Sequence, residues 1–530
     1  MNSAPQNFPG ESRTAVTIPL PHPVRQKIKD AIVALSLGNL CFLRTSFNLL
    51  FDNHCYLEKQ PVTTSMLLAL VVNIFCFAFV FWVVMQALRR FHNKLFHLAV
   101  HLLFFAFWVF LLLLADYIRF GYLFKMEAYA VSLLDQPVLI MCGLVLLALV
   151  IWQHRLLAKI GAVVAAVLSP LAFFSLLKML LLCLGVIHLK QASDPAAWQP
   201  LYPVRAGQPR VLWIIFDETD YRLAFEQRPA SLPLPEFDRL RNQSLFAVDA
   251  YSPADYTLFS MPQLIAGRRF SAVSAADTLD LKVTLADGET TNWSKLPSVF
   301  SDARALGVNT ALVGWLHPYG RILGGSLNFC AWYSYPAYKR ARSTAFGTEI
   351  RQQIESLSGD FYVQRLFIDG YLYSLKASLS AVTNSAYGLT LLHLMPPHLP
   401  GIYLPDKNQF TVFDTSDTAG YLNNLALADH TLGRLRGAME QSGEWDKTWV
   451  IMSADHSWRE SKLYDGKRDM RVPFLVKPPG DNESLTYSRQ FNTILTHDLI
   501  LAILRGEVTN QQNVVTWIDA HGQSFIPVPQ

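Results

Sequence analysis

The hydrophobic pattern changes character near residue 190. Before that point apolar residues come in long blocks; beyond it they come in short runs separated by amphipathic stretches. A helix that crosses a bilayer needs about 20 mostly apolar residues. Five blocks qualify or come close: 31–51, 65–87, 95–115, 137–152 and 161–187. The second, third and fifth are the clearest, and LLALVVNIFCFAFVFWVV shows the type. Asn39, Arg44 and Asn48 interrupt the first block and the fourth is short, so an interfacial or buried helix is the alternative for these two. The stretch 116–136 is aromatic and weakly charged, and reads either as an amphipathic helix on the membrane surface or as a loop.

Past a Pro- and Ala-rich linker at 189–209 the pattern shortens. VLWIIF (211–216) is a continuous apolar run of β-branched and aromatic residues, the pattern of a strand buried on both faces. NTALVGW (309–315), LTLLHLM (389–395), TWVIMSA (448–454) and VPFLVK (472–477) are similar. Helical patterns such as PEFDRLRNQS and FNTILTHDLILAILRG lie between such runs. Strand alternating with helix predicts an α/β domain with a mainly parallel central sheet. The expected organisation is a cytoplasmic N-terminal segment (1–30), an α-helical transmembrane domain of about five spans (31–188), the linker, and a catalytic domain over 210–530.

Charge adds orientation. Arg25, Lys27 and Lys29 precede the first block, Arg89, Arg90 and Lys94 separate the second from the third, and Arg155 and Lys159 separate the fourth from the fifth. The other two connections hold Lys59, and Arg119 with Lys125. The positive-inside rule then places the N-terminus in the cytoplasm, and five crossings deliver the C-terminal half outside. The N-terminus lacks a short cleavable signal, so the first span is expected to stay. Arg44, His97, His101 and Lys178 lie within the blocks. They mark a pathway or a lipid head-group site, or they simply snorkel near span ends. The net charge is a mild +4, and no basic run suggests nucleic acid as a partner. Of the six cysteines, Cys41, Cys76, Cys142 and Cys183 sit in apolar blocks as small hydrophobes. Cys55 and Cys330 fall outside them and would pair only if the fold brought them together.

Ligands of a parallel sheet gather beyond the strand C-termini. Asp217, Glu218, Thr219 and Asp220 follow the first run, Asp455 and His456 follow TWVIMSA, and His398 follows LTLLHLM. Carboxylates with imidazoles suit zinc, or manganese if oxygen dominates. A lone Asp at such a position is commonly a helix N-cap, but three clusters at three strand ends point to a metal site. The segment SPADYTLFSMPQLIAGRRF (252–270) offers a nucleophile. Thr257 stands at the start of a predicted helix that contains Ser260. There the helix dipole favours an alkoxide, while a capping role is the plainer alternative.

These residues resemble the alkaline phosphatase superfamily. More narrowly, they resemble the membrane-bound phosphoethanolamine transferases and their relatives, the lipoteichoic-acid synthases, over nearly the whole chain. In IIFDETDYR the resemblance implies that Glu218 binds metal, with Asp217 sharing the role where sulfatases carry Asp-Asp. In YTLFSMP it implies that Thr257 is the nucleophile and a metal ligand, five residues before Pro262. Sulfatases instead need Cys or Ser followed by Pro two residues on and Arg four residues on. Phe259 and Met261 hold those positions here, which argues against a sulfatase activity. In SADHSW the resemblance implies Asp455 and His456 as metal ligands, with Ser457 replacing the usual Gly. In LLHLMPPHLP it implies His398 as a substrate-side residue, with Leu399 replacing Gly. The family usually carries another His soon after the Asp-His pair. This chain has none between His456 and His497; Lys467, Arg468 and Arg471 stand there instead. They are read as phosphate-binding residues or as a solvated charge run. His317, in GWLHPYGR, is read as substrate-facing or as a surface histidine.

What the resemblance implies is an alkaline-phosphatase-like domain holding Zn2+ (or Mn2+) at the outer face of a bacterial inner membrane. The implied reaction moves a phospholipid head group, phosphoethanolamine favoured, through a phospho-threonine intermediate onto a cell-envelope glycan or lipid such as lipopolysaccharide. The alternatives are a phosphoglycerol transferase, a membrane-anchored phosphodiesterase or phosphatase, and an inactive domain acting as a sensor or assembly partner.

Overall fold

The structure, a computed structural model, describes residues 22–51, 56–57, 61–91, 93–119, 136–190, 193–195, 197–275, 279–334, 345–413, 417–480 and 483–527. Cys55 and most of 116–136 lie outside these residues, and with them the pairing of Cys55 with Cys330 and the reading of 116–136 as surface helix or loop. The chain forms two compact units. One is Met1–Phe47 with Leu68–Leu184; the other is Asn48–Leu67 with Gly185–Gln530. Residues 48–67, grouped with the membrane domain by sequence, thus belong to the second unit.

The first unit is helical. Thr64–Arg90 and Leu144–Cys183 are long and apolar enough to cross a membrane. Val24–Cys41 and Leu43–Leu50, bent by 68° at their junction, add a third candidate if they count as one span. The expected connection between the fourth and fifth blocks is not a loop. One helix, Gln136–Val167, runs straight through Arg155 and Lys159. Residues 153–160 contain neither proline nor glycine, so nothing stops the helix there. Pro170, near the start of Ser169–Cys183, accompanies the observed break.

The second unit is an α/β domain around an eight-stranded sheet. From one edge to the other its strands are Leu485–Tyr487, Leu245–Ala247, Phe474–Lys477, Thr448–Ser453, Arg210–Phe216, Leu389–Leu394, Thr310–Trp315 and Phe329–Tyr333. Arg210–Phe216 lies at the centre, parallel to both neighbours. Only Phe474–Lys477 runs antiparallel, to both of its neighbours. Five strands coincide with the apolar runs in the sequence. Leu245–Ala247 and Leu485–Tyr487 escape notice because three residues carry no pattern.

Both sheet faces are covered. Val211, Trp213 and Ile215 enter one hydrophobic core, while Leu212, Ile214 and Phe216 enter the other. A strand alternates faces residue by residue, so a strand buried on both sides must be apolar throughout. The first core also receives Met261, Leu264 and Ile265 from the helix Thr257–Ala266. That packing brings Thr257 to the sheet face that carries Ile215 and, two residues on, Asp217.

Candidate active site

The site begins with register. Ile215 pairs with Ser453 on one side and with His393 on the other. The residues leaving these three adjacent strands therefore come out together at one sheet edge. The Asp217 amide donates to Leu394 O at 2.9 Å. Glu218 then adopts φ 62°, a left-handed conformation that disfavours side chains by about 1–3 kcal/mol. The surroundings hold it there. Its amide donates to Asp455 Oδ1 at 3.0 Å, and Tyr421 Oη donates to its carbonyl at 2.9 Å. Tyr421 Oη also accepts the Asp220 amide, and its ring stacks on Trp458 at 3.9 Å with a 2° tilt.

Thr257 is the first residue of its helix. Its hydroxyl caps nothing, because Tyr256 holds the N-cap position and makes no side-chain capping bond. Instead Oγ1 lies 3.3 and 3.4 Å from the two Asp217 oxygens and 3.2 Å from His456 Nε2. Two contacts fix the helix start. Ser260 Oγ donates to Asp455 O, and His317 Nε2 donates to Thr257 O at 3.1 Å. At the other end Gly267, φ 62°, closes the helix; a Cβ there would strike the His497 ring.

His456 is oriented by its own neighbour. Nδ1 donates to Ser457 O at 2.9 Å, which leaves the Nε2 lone pair facing Thr257. Nε2 is 3.5 Å from Asp455 and 3.6 Å from Asp217. Burial works against a charged imidazole, but Asp455, Asp217 and Glu218 outweigh it and raise the His456 pKa. Asp217 is pushed well above the carboxylate range by burial and by Asp455. Burial raises Asp455 too, yet His456, His393 and the Glu218 amide hold it low.

The fit for a cation is specific. Asp217, His393 and Asp455 are buried, with ligand atoms within 4.8 Å of one another. Asp455 Oδ2 and His393 Nε2 have no hydrogen-bond partner despite full burial. Two buried carboxylates this close repel when both are ionised. A divalent ion would remove that repulsion and satisfy both orphaned atoms. Tyr319 Oη bonds His393 Nδ1 at 2.7 Å, the outer-shell contact that orients a ligating imidazole.

The residues expected from sequence divide into groups. Asp217, Thr257, Asp455 and His456 are in mutual contact, as above. Glu218 is adjacent, but its carboxylate faces His398 Nε2 at 3.9 Å and Arg459 Nε at 3.4 Å. His398 thus joins the site through Glu218. His317 is fully buried, with Nε2 on Thr257 O and Nδ1 accepting from Tyr56 Oη at 2.9 Å. Both ring nitrogens are occupied, so it is neither a surface nor a substrate-facing residue; it clamps the Thr257 backbone. Burial lowers its pKa to about 3 and keeps it neutral. Arg471 is engaged by Asp469 and Glu226, and Arg468 by Asp255. Lys467 is exposed. Arg468 and Arg471 are thus paired with carboxylates, and the half-exposed Arg459 is a cation against the site.

Sequence reasoning missed His393 and Arg459. His393 sits inside an apolar run, where a histidine reads as core. Extending the strand alternation puts 389, 391 and 393 on one face, the face of 211, 213, 215 and 217, and this signal would have found it.

Among solved structures the chain resembles Ps i-CgsB in complex with k-i-k-neocarrahexaose, at 14% identity and TM-score 0.42, over 58% of this chain and 74% of that one. It also resembles the phosphonate monoester hydrolase of Agrobacterium radiobacter, at 14% identity and TM-score 0.40, over 56% and 74%. A third is a protein in the alkaline phosphatase superfamily from Vibrio parahaemolyticus, at 14% identity and TM-score 0.36, over 59% and 71%. No curated protein matches it. The Sulfatase family model matches residues 209–505, more than half of the 530, and covers every residue of the cluster just described. The chain belongs to the sulfatase family of metal-dependent enzymes.

Proposed function

We propose that this enzyme transfers a phospholipid head group, phosphoethanolamine in the first instance, through a phospho-threonine intermediate on Thr257 to a hydroxyl of an envelope glycan or lipid. The observation that carries this reading is the position of Thr257. A buried hydroxyl at a helix N-terminus faces a bare imidazole nitrogen and the cluster of Asp217, His393 and Asp455. A threonine in that place, with Phe259 and Met261 following, lacks the Cys/Ser-x-Pro-x-Arg pattern of a sulfatase nucleophile.

A divalent cation held by Asp217, His393 and Asp455, zinc being the best match to this donor set, supplies Lewis-acid charge beside the reacting oxygens. The chain's own groups do the rest. His456 Nε2 takes the Thr257 hydroxyl proton as Oγ1 bonds to phosphorus. The bond from phosphorus to the glycerol oxygen breaks, and diacylglycerol leaves with that proton. In the second half, the acceptor hydroxyl gives its proton to His456 as its oxygen displaces Oγ1, and Thr257 is restored. Arg459, with His398 behind Glu218, faces the phosphoryl oxygens.

A lipid donor requires a membrane-facing enzyme, which the apolar helices supply. Two features support a catalytic domain outside a bacterial inner membrane. Basic residues precede the first span. Residues 48–67, which follow that span, belong to the catalytic unit.

The test is the mass of the Thr257 peptide after exposure to phosphatidylethanolamine and phosphatidylglycerol. A phosphoethanolamine adduct, absent in Thr257→Ala, is expected. Release of free head-group phosphate with no adduct and no modified acceptor would instead identify a hydrolase.

A further inference from the structure

The membrane unit contains a cavity that catalysis does not use. It measures about 850 Å3 and lies among His22–Cys41, Thr64–Arg90, Lys94–Arg119 and Gln136–Val167. Valine, leucine and phenylalanine side chains form most of its wall. Set into that wall are six basic residues, Arg89, Lys94, His97, His101, Arg155 and Lys159, and among the described residues no carboxylate lines it. Arg89 is balanced by Asp30 at 2.7 Å.

The placement of the other five basic residues is informative. Arg155 and Lys159 sit one turn apart in an unbroken helix, so they share a face. His97 and His101 repeat that spacing on the neighbouring helix, their ring centroids 5.9 Å apart, and His101 Nδ1 is 2.8 Å from His154 Nδ1. Cations gathered at an apolar wall repel one another and lose hydration, and a membrane interior offers little screening. A phosphate relieves both: a guanidinium grips two of its oxygens and an ammonium adds a point charge. Side chains that merely snorkel would extend toward bulk head groups rather than line a cavity.

We infer that this cavity binds one anionic phospholipid. Its phosphate lies among Lys94, His97, Arg155 and Lys159, and its glycerol and first methylenes follow the apolar wall. The volume suits a head group with the start of its chains. The assignment does not depend on the reaction at Thr257.

Native mass spectrometry of the full-length protein in detergent tests it, with phosphatidylglycerol, phosphatidylcholine of the same chains, and free glycerol phosphate as probes. One phosphatidylglycerol should stay bound with about tenfold preference over phosphatidylcholine, a difference of about 1.4 kcal/mol. Arg155→Gln/Lys159→Gln should lose that preference, whereas Arg25→Gln/Lys29→Gln, basic positions outside the lining, should keep it. Should the first pair fail to fold, Ala162→Phe leaves the charges and fills the cavity, and should displace the lipid. Equal retention of both lipids, phosphatidylglycerol binding unchanged in the lining variants, or free glycerol phosphate binding as tightly as the lipid would each overturn the proposal.

Discussion

Asp455 Oδ2 and His393 Nε2 are fully buried and unpartnered, which is costly unless an ion occupies the space between them. Asp455→Ala and His393→Ala should therefore each abolish stoichiometric divalent metal in the purified enzyme. Thr257→Ala should retain metal while losing turnover by on the order of a thousandfold or more. Elemental analysis beside an activity assay separates the two, and equal metal in all three variants would refute the ligand assignment. His317 makes a different prediction. Burial lowers its pKa from 6.5 to about 3, so protons bind the unfolded chain first. Its contribution to stability is complete above pH 6.5 and is lost as pH falls toward about 3. Thermal melts from pH 7 to 4 should show this slope, and His317→Gln should flatten it. Histidine roles were the least legible residues in the sequence. His317 looked exposed or substrate-facing and His393 passed unnoticed in an apolar run, because a strand pattern records burial and not what a buried nitrogen touches.

At the scale of elements, the turn after the central strand combines an unfavourable backbone with a dense set of contacts. Glu218 keeps φ 62° because Tyr421 bonds its carbonyl and the Asp220 amide while stacking on Trp458. Tyr421→Phe preserves the stack and removes both hydrogen bonds, so it should destabilise the domain by about 1–3 kcal/mol. It should also lower kcat more than it raises KM, since Glu218 and Asp455 shift together. Denaturant titration and steady-state kinetics read the two effects, and loss of stability with unchanged kcat would mean the turn does not depend on this support. The central strands were readable because a strand buried on both faces is apolar without interruption. The Tyr421 contact was not, since 201 and 203 residues separate the partners. The break between the last two expected spans was misplaced for a local reason: charged residues suggested a loop, but Gln153–Ile160 has no helix breaker and stays helical.

At the scale of the whole molecule, the segment between the first two long helices is part of the catalytic unit. Tyr56 is buried and donates to His317, which in turn holds Thr257. Ser334 Oγ donates to Leu57 O at 2.6 Å, and Gln353 Nε2 to Met66 O at 3.0 Å. A soluble fragment starting at Gly185 would keep every residue of the cluster yet lose this clamp. It should bind metal but turn over on the order of 10–100-fold more slowly, because small displacements of a nucleophile are expensive. Tyr56→Phe in the full chain should move kcat in the same direction. A fragment as active as the intact enzyme would show the clamp to be dispensable.

Local sequence by itself determined the division into apolar helices and an α/β domain, since both follow from the length and period of hydrophobic runs. It also determined the acidic and imidazole residues at the strand ends, because a parallel sheet presents those ends at one edge. Only the tertiary structure decided that His393 joins Asp217 and Asp455, that Glu218 turns toward Arg459 and His398, that Arg468 pairs with Asp255 and Arg471 with Glu226, and that Tyr56 reaches His317. Each of these is a contact between distant segments, set by strand register and side-chain packing, and no periodicity along the chain encodes it.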